Sequence, residues 1–426
     1  MRILFLVHRL PYPPNKGDKI RSFWELQSLS ARHEVDLFCF YDDPADQHYL
    51  KELSRYYRRC YAEGISPLRS RGRALAAAAL GRPFSLGFYY SPTMGQQVQQ
   101  ALQTQAYDLI LVFSSQMAQY VASVSSLPRV LDMVDVDSLK WEQYAQHAVP
   151  PSSWLWKREA RNLARFEAQI VKNFSLTMLC TEGEANLLRG RCASPRIYAL
   201  PHPLDITYYD PSLVAVPQEV AALQPYIIFT GSMDYLPNVD GVLQFYRNVF
   251  PRIRARLPQV RFVIAGRNPT RSVRRLTTDP AVHVTGSVSD IRPYLRGATA
   301  AVVPLRIARG LQNKLIEAMA MGLPVAASRI TAAALPESLS PLLIIEDDPQ
   351  LLADKLVGLI RHGSAASPEA LREGIAKEYG RTRLEQEFES LLLRAQELHA
   401  KRRQEDALDR KRESRALSAY AGTNWK

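Results

Sequence analysis

Cysteine, long apolar runs, short-period repeats and metal-type spacings are all scarce in this chain. Its four cysteines, Cys39, Cys60, Cys180 and Cys192, are scattered through 426 residues. No two of them have ligand-like spacing, so reduced thiols fit better than disulfides or a zinc site. The apolar runs Ile3–Val7 and Ala74–Leu80 are short, far from the roughly 18 to 20 residues a membrane span requires. Arg9, Pro11, Pro13 and Pro14 follow the first run at once, which is not a signal-peptide layout. The expectation is a cytoplasmic protein, with peripheral contact at the inner face of the plasma membrane as a companion reading. Asp135-Val136-Asp137 spells Asp-x-Asp, but three-residue matches are common by chance, and neither a metal nor another cofactor is expected.

What is present in excess is positive charge. A formal net charge of +12 calls for an acidic partner: nucleic acid, an anionic membrane surface or phosphorylated small molecules. Nothing reads as a nucleic-acid module. Basic residues concentrate between Lys51 and Arg73, where Arg55, Arg58, Arg59, Arg69, Arg71 and Arg73 stand beside Tyr56, Tyr57 and Tyr61. Such a mixture suits a lipid headgroup layer or a solvated helix face, and both readings stand.

At 426 residues the chain is too long for one ordinary core and suggests two domains. Strands and helices alternate in each half. MRILFLV, HEVDLFCF, YDLILVF and RVLDMVDVD read as buried parallel strands before residue 209, and YIIFT, FVIAG, VHVTG and AAVVP after residue 226. The proline-rich segment 210–225 reads as a linker. Three prolines before Asn15 forbid regular structure, Gly17 permits a turn, and a helix starts near Asp18. Lys16, Lys19 and Arg21 flank that turn, either as phosphate contacts or as a solvated helix start. After the strand at 300–304, Gly310 opens a loop and Gln312–Met321 reads as helix, stopped by Gly322 and Pro324. A loop at the carboxyl end of a parallel strand that leads into a helix offers free N–H groups to a phosphate. Lys314 and Glu317 lie on one face of that helix.

PLRIARGLQNKLIEAMAMGLPVAAS (304–328) resembles the donor-site segment of family 4 glycosyltransferases, retaining and metal-independent enzymes that use nucleotide sugars. The resemblance implies an α/β protein of the GT-B fold: two Rossmann-like doubly wound parallel-sheet domains with a cleft between them and a C-terminal crossover helix. The implied domains are 1–209 on the acceptor side, 226–380 for the nucleotide sugar, and 381–426 as a helix and basic tail returning toward the first. Glu317-Ala318-Met319-Ala320 followed by Gly322 and Pro324-Val325 matches the family pattern, whereas Arg309 stands where its first glutamate is usual. Gly310, Lys314 and Glu317 fit a subset with Gly-x-x-x-Lys-x-x-Glu-Ala-Met.

By the same resemblance, Gly17 lies near the donor diphosphate, and Val282–Asp290, with Gly286 and Val288, meets the nucleotide base. The loop after YIIFT carries Gly231 and Ser232 where relatives often supply Arg and Lys, so Lys314, Arg309 and Arg267 are the expected counter-charges. Leu311 lines the donor loop beside Gly310, and Glu317 is expected to take ribose hydroxyls. Asp132 and Asp135, near the end of their strand, are the available carboxylates for positioning an acceptor hydroxyl or taking its proton, with Asp135 the catalytic candidate. His202 and Pro203 replace an Asn-Gly of the family, and His202 reads equally as a site residue or as packing. The opening MRILFLVHRLPYPPNKGDKIRSFWEL, with HEVDLFCFYDDP, also resembles bacterial sugar transferases linked to exopolysaccharide production and the exosortase sorting system. The expected partners are therefore a nucleotide sugar and a lipid-linked or polysaccharide acceptor. A protein of the same fold that binds nucleotide sugar or glycan without turnover is the alternative.

Overall fold

The computed structural model describes residues 1–14, 16–146 and 148–422, the last twelve by backbone alone. The chain divides into two compact units. One contains Met1–Leu179, Ala185–Leu200 and the chain from Glu385 onward; the other contains Cys180–Glu184 and Pro201–Leu384.

The first unit is built on seven parallel strands: β1 (Arg2–Val7), β2 (Glu34–Tyr41), β3 (Arg59–Gly64), β4 (Leu109–Phe113), β5 (Arg129–Val134), β6 (Leu176–Leu179) and β7 (Ile197–Ala199). Their order is β3-β2-β1-β4-β5-β6-β7, so the direction of winding reverses between β1 and β4. β1 is apolar almost throughout because helices cover both faces of the sheet. Ile3 sits between Val35 and Leu109 in register, and Ile3–Val7 are fully buried. Sequence patterning missed β3, whose RCYAEG lacks apolar alternation and occupies the sheet edge. Lys51–Arg73 is therefore not one helix face: it is a short helix, a 3-10 turn, β3 and the start of the helix Pro67–Ala79.

The second unit holds six parallel strands: β8 (Tyr226–Thr230), β9 (Arg261–Ala265), β10 (Val282–Gly286), β11 (Ala300–Val303), β12 (Val325–Ala327) and β13 (Ile344–Ile345). In the order β10-β9-β8-β11-β12-β13 the reversal falls between β8 and β11. Leu204, Val214 and Val220 belong to this unit's core, so the segment expected to end the first domain and link the two packs with the second. The final helix, Arg381–Gly422, starts in the second unit and continues in the first. Its charged run, read as solvated, has described side chains to Arg410, and those of 401–410 are exposed; residues 423–426 lie outside the described residues.

Candidate functional site

In an open parallel sheet, ligands bind beyond the carboxyl ends of the strands where the winding reverses. In the second unit that point is flanked by the loops after β8 and β11, which carry Gly231–Ser232 and Gly310–Gln312.

Gly231 has φ +148, and a Cβ there would stand 2.7 Å from Asn238 Nδ2 and 3.1 Å from Lys314 Nζ. Gly266, after β9, has φ +154, and its Cβ would lie 1.7 Å from the Gly231 carbonyl oxygen. Only glycine permits this approach, and it brings two loops together at the reversal point. Ser232 joins them through its Oγ, which accepts from Arg267 Nε at 3.3 Å. Gly286 closes the third loop at φ +70, its carbonyl accepting from Gly266 N at 3.2 Å. Val288 follows as a partly buried residue.

Helix Asn313–Ala320 buries Leu315, Ile316, Ala318 and Met319 and turns Lys314 and Glu317 toward the loops. Lys314 Nζ donates to Asn238 Oδ1, while Asn238 Nδ2 donates to the Ser232 carbonyl at 2.9 Å. The ammonium also lies 4.6 Å above the Phe229 ring. Burial lowers its pKa to about 7, against the opposing pull of Glu317. Burial in turn raises the Glu317 pKa, while a hydrogen bond from Tyr209 and the charge of Lys314 hold it back. Each partner restrains the other's neutralisation. Tyr209 is fixed behind Glu317 by Arg372, whose Nη1 donates to the Tyr209 carbonyl at 2.8 Å.

Gly310 has φ 59 and is buried, and Leu311 packs on the core. Arg309 sits beside them, but its guanidinium pairs with Glu184 at 3.3 Å. His202 is buried and bonds Asn313 Oδ1 at 3.1 Å. Tyr208, Tyr209 and Asn238 were not anticipated from sequence. The tyrosine pair falls at the end of the segment 1–209 assigned to the first domain, just before the proline-rich linker, and no periodicity marks Asn238.

The first unit has its own polar cluster at the carboxyl edge of its sheet. His8, one residue past β1, stacks on Phe113 at 5.7 Å and reaches Asp18 at 3.3 Å. Burial works against an ionised Asp18, but hydrogen bonds and charge from His8 and Arg9 hold its carboxyl far below the usual range. At the end of β5, Val134 has φ 65, a strained value for a β-branched residue. It is held by its N–H bond to Asp132 Oδ1 at 2.9 Å, and Asp135 follows, partly buried. Asp132 is itself fixed by Arg21, wholly buried at 0% exposure, which also donates to the Leu200 carbonyl at 2.5 Å.

That placement gives the cations of the first loop carboxylate neighbours. Arg21 is an interior structural cation, Lys19 is buried against Asp46 at 2.7 Å, and Lys16 is 3.9 Å from Asp42. Gly17 is the exposed first residue of helix Gly17–Ser30 and needs no special backbone angle. Sequence reasoning overlooked His8, whose signal was its position directly after the first strand.

Residues 224–362 match the family described as Glycosyl transferases group 1. No curated protein sequence matches the chain. Among solved structures, the chain is similar to HepE from Anabaena in complex with UDP at 15% identity, with a TM-score of 0.62 over 92% of this chain and 99% of that one. It is also similar to sucrose-phosphate synthase from Thermosynechococcus elongatus at 18% identity, with a TM-score of 0.67 over 92% and 98% of the two chains. At these identities the likeness is one of architecture, and the architecture is GT-B.

Proposed function

We propose that this chain is a retaining glycosyltransferase of the family 4 kind, moving a sugar from a nucleotide-sugar donor to a lipid-linked or polysaccharide acceptor in bacterial exopolysaccharide or cell-envelope biosynthesis. The observation that carries the proposal is the Lys314–Glu317 pair at the reversal point of the second sheet, inside the stretch that matches the family. HepE, of the same architecture, was solved with UDP, which supports a nucleotide donor.

Glycosyl transfer develops positive charge on the sugar while a diphosphate departs. In this reading the departing charge meets Lys314, Arg267 and the backbone of the Gly310–Gln312 loop, preorganised by the glycine contacts. Neutralisation is assigned to side chains and backbone, with no metal. Glu317, oriented by Tyr209, takes the ribose hydroxyls, and Asp135 positions the acceptor hydroxyl. The test is transfer from UDP-, GDP- and ADP-sugars by the intact chain, Lys314→Ala and Glu317→Ala. Wild-type turnover in both variants would remove the assignment. The second reading, binding without turnover, is favoured by Arg309, which replaces the usual glutamate and pairs with Glu184. Nucleotide-sugar binding with neither transfer nor hydrolysis would select it.

Contact with an anionic membrane surface belongs to the same proposal, on the last part of the basic 51–73 run and the helix that follows from it. Helix Pro67–Ala79 is inverted: Ala74 and Ala77 approach Gly87 of the following helix, whereas Leu68 is 82% exposed and Leu75 73% exposed. Arg158 donates to the Ala78 carbonyl, which places the outward-facing Trp154 and Leu155 nearby. Arg69, Arg71, Arg82, Lys157 and Arg161 lie on the same segments as exposed cations. Exposed apolar side chains interleaved in sequence with arginine and lysine match an anionic headgroup layer. Flotation with phosphatidylglycerol vesicles should be lost in Leu68→Ser/Leu75→Ser/Trp154→Ser, and equal binding to phosphatidylcholine vesicles would count against it.

A further inference from the structure

The amino-terminal edge of the first sheet carries a second concentration of charge, at the opposite end of the strands from His8 and Asp135. Arg129 opens β5, Ser175 precedes β6 and Arg196 precedes β7. The final helix closes over them with His399, Arg402, Arg403 and Asp406 on one face, spaced at three, one and three residues. Together these residues line a cavity of about 230 Å³.

Four arginines face one aspartate there, and among the described residues none of the four forms an ion pair. Part of the arrangement has a local explanation. Arg129 Nη2 donates to the Asn173 carbonyl at 2.7 Å, and Arg196 Nη2 and Arg402 Nη1 each donate to the Lys172 carbonyl at 3.1 Å. Helix Ser152–Asn173 ends at these carbonyls, and cations cap such ends well. The charge does not balance, however. A helix C-terminus supplies about half a negative charge, and Asp406 supplies one more.

The excess is visible in the groups themselves. Burial and then the charge of Arg402 lower Arg129 to about 10, and the same two causes lower Arg196. Burial lowers His399, and Arg403, Arg129 and Arg402 lower it further, against a bond with the Ser126 backbone. His399 Nε2 is buried without a partner among the described residues, and Arg129 is only 6% exposed. Like charges this close at the wall of a cavity repel one another, and an anion bound between them would relieve the repulsion.

We infer that the cavity lined by Arg129, Arg196, His399, Arg402 and Arg403 is a binding site for a compact phosphate-bearing anion, a phosphate monoester or a diphosphate, separate from the donor site of the second unit. Guanidinium groups are suited to phosphate because their planar forks donate in pairs. The anion could reach the site free in solution or as a lipid headgroup, and both sources present the same oxygens.

The probes are inorganic pyrophosphate, by titration calorimetry at constant ionic strength, and vesicles containing phosphatidic acid, by flotation. Four proteins are compared: the full chain, Arg402→Ala/Arg403→Ala, Arg403→Glu, and Lys314→Ala. Arg402 and Arg403 are exposed on a helix, so folding should survive, and Arg403→Glu provides a second variant. Pyrophosphate affinity should fall at least tenfold in both arginine variants and persist in Lys314→Ala. Binding lost only on the vesicles would identify a headgroup as the source. Pyrophosphate affinity unchanged in the arginine variants but abolished in Lys314→Ala would assign all binding to the donor site and overturn the inference. A response reproduced by sodium chloride at matched ionic strength would overturn it equally. Transfer activity is scored separately, so failure here leaves the reading of the Lys314–Glu317 site untouched.

Discussion

If a donor diphosphate binds at Lys314, as proposed, donor affinity depends on pH in one direction. In the free protein, burial lowers its pKa to about 7, so above that value the side chain is increasingly neutral. A nucleotide-sugar diphosphate keeps its charge throughout the neutral range, and its arrival favours the ammonium. Binding then takes up a proton. Below about pH 7 the cation is already present and affinity is flat; above it, each pH unit costs about 1.4 kcal/mol, or tenfold, until the pKa of the bound form is reached. If the diphosphate restores an ordinary lysine value, affinity should fall about 30-fold between about pH 6 and about pH 8.5, roughly 2 kcal/mol. Calorimetry of nucleotide binding in two buffers of different ionisation enthalpy measures both the affinity and the proton uptake. Lys314→Arg should bind with a flat profile, because a guanidinium remains charged across this range. A wild-type affinity constant across the interval, with no proton uptake, would refute the placement of the diphosphate on Lys314.

Other perturbations test the frame around that lysine and the interior of the first unit. Gly266→Ala should prevent the second unit from folding normally, since a Cβ would sit 1.7 Å from the Gly231 oxygen; the thermal midpoint reports it. Gly231→Ala should be milder for stability but should displace Asn238 and Lys314, weakening nucleotide binding in titration more than it lowers the melting temperature. Tyr209→Phe removes one hydrogen bond to Glu317, and the expected loss is about 1 kcal/mol, or about fivefold in donor affinity. Arg21→Ala leaves Asp132 without its partner in the interior, beside Glu25, whose pKa burial and Asp132 already raise. Urea denaturation should show a loss of about 3–5 kcal/mol, partly recovered in Arg21→Ala/Asp132→Asn; no recovery would mean that the charge is not the cause.

The inverted helix Pro67–Ala79 shows how composition misleads. A count of arginines and tyrosines picks out 51–73, but Arg58 pairs with Asp36 at 2.5 Å and part of the run is an edge strand. The exposed leucines lie partly beyond the run, and exposure cannot be read from a list of residues. Arg309 is a similar case, because its charge is visible in the sequence and its pairing with Glu184, 125 positions away, is not.

The sequence by itself determined the two parallel sheets, the helix that carries Lys314 and Glu317, and the glycines at the strand ends. Each follows from local rules: apolar runs buried on both faces, helix start and stop residues, and backbone angles open to glycine alone. Only the tertiary structure decided which charges are available. Lys19, Arg21 and Arg309 look alike in sequence with Lys314, but the first three contact carboxylates directly, whereas Lys314 contacts an amide oxygen and a ring face, feels the charge of Glu317, and has a pKa lowered by burial. Electrostatic roles depend on distance and desolvation, and both are set by residues brought together from remote parts of the chain.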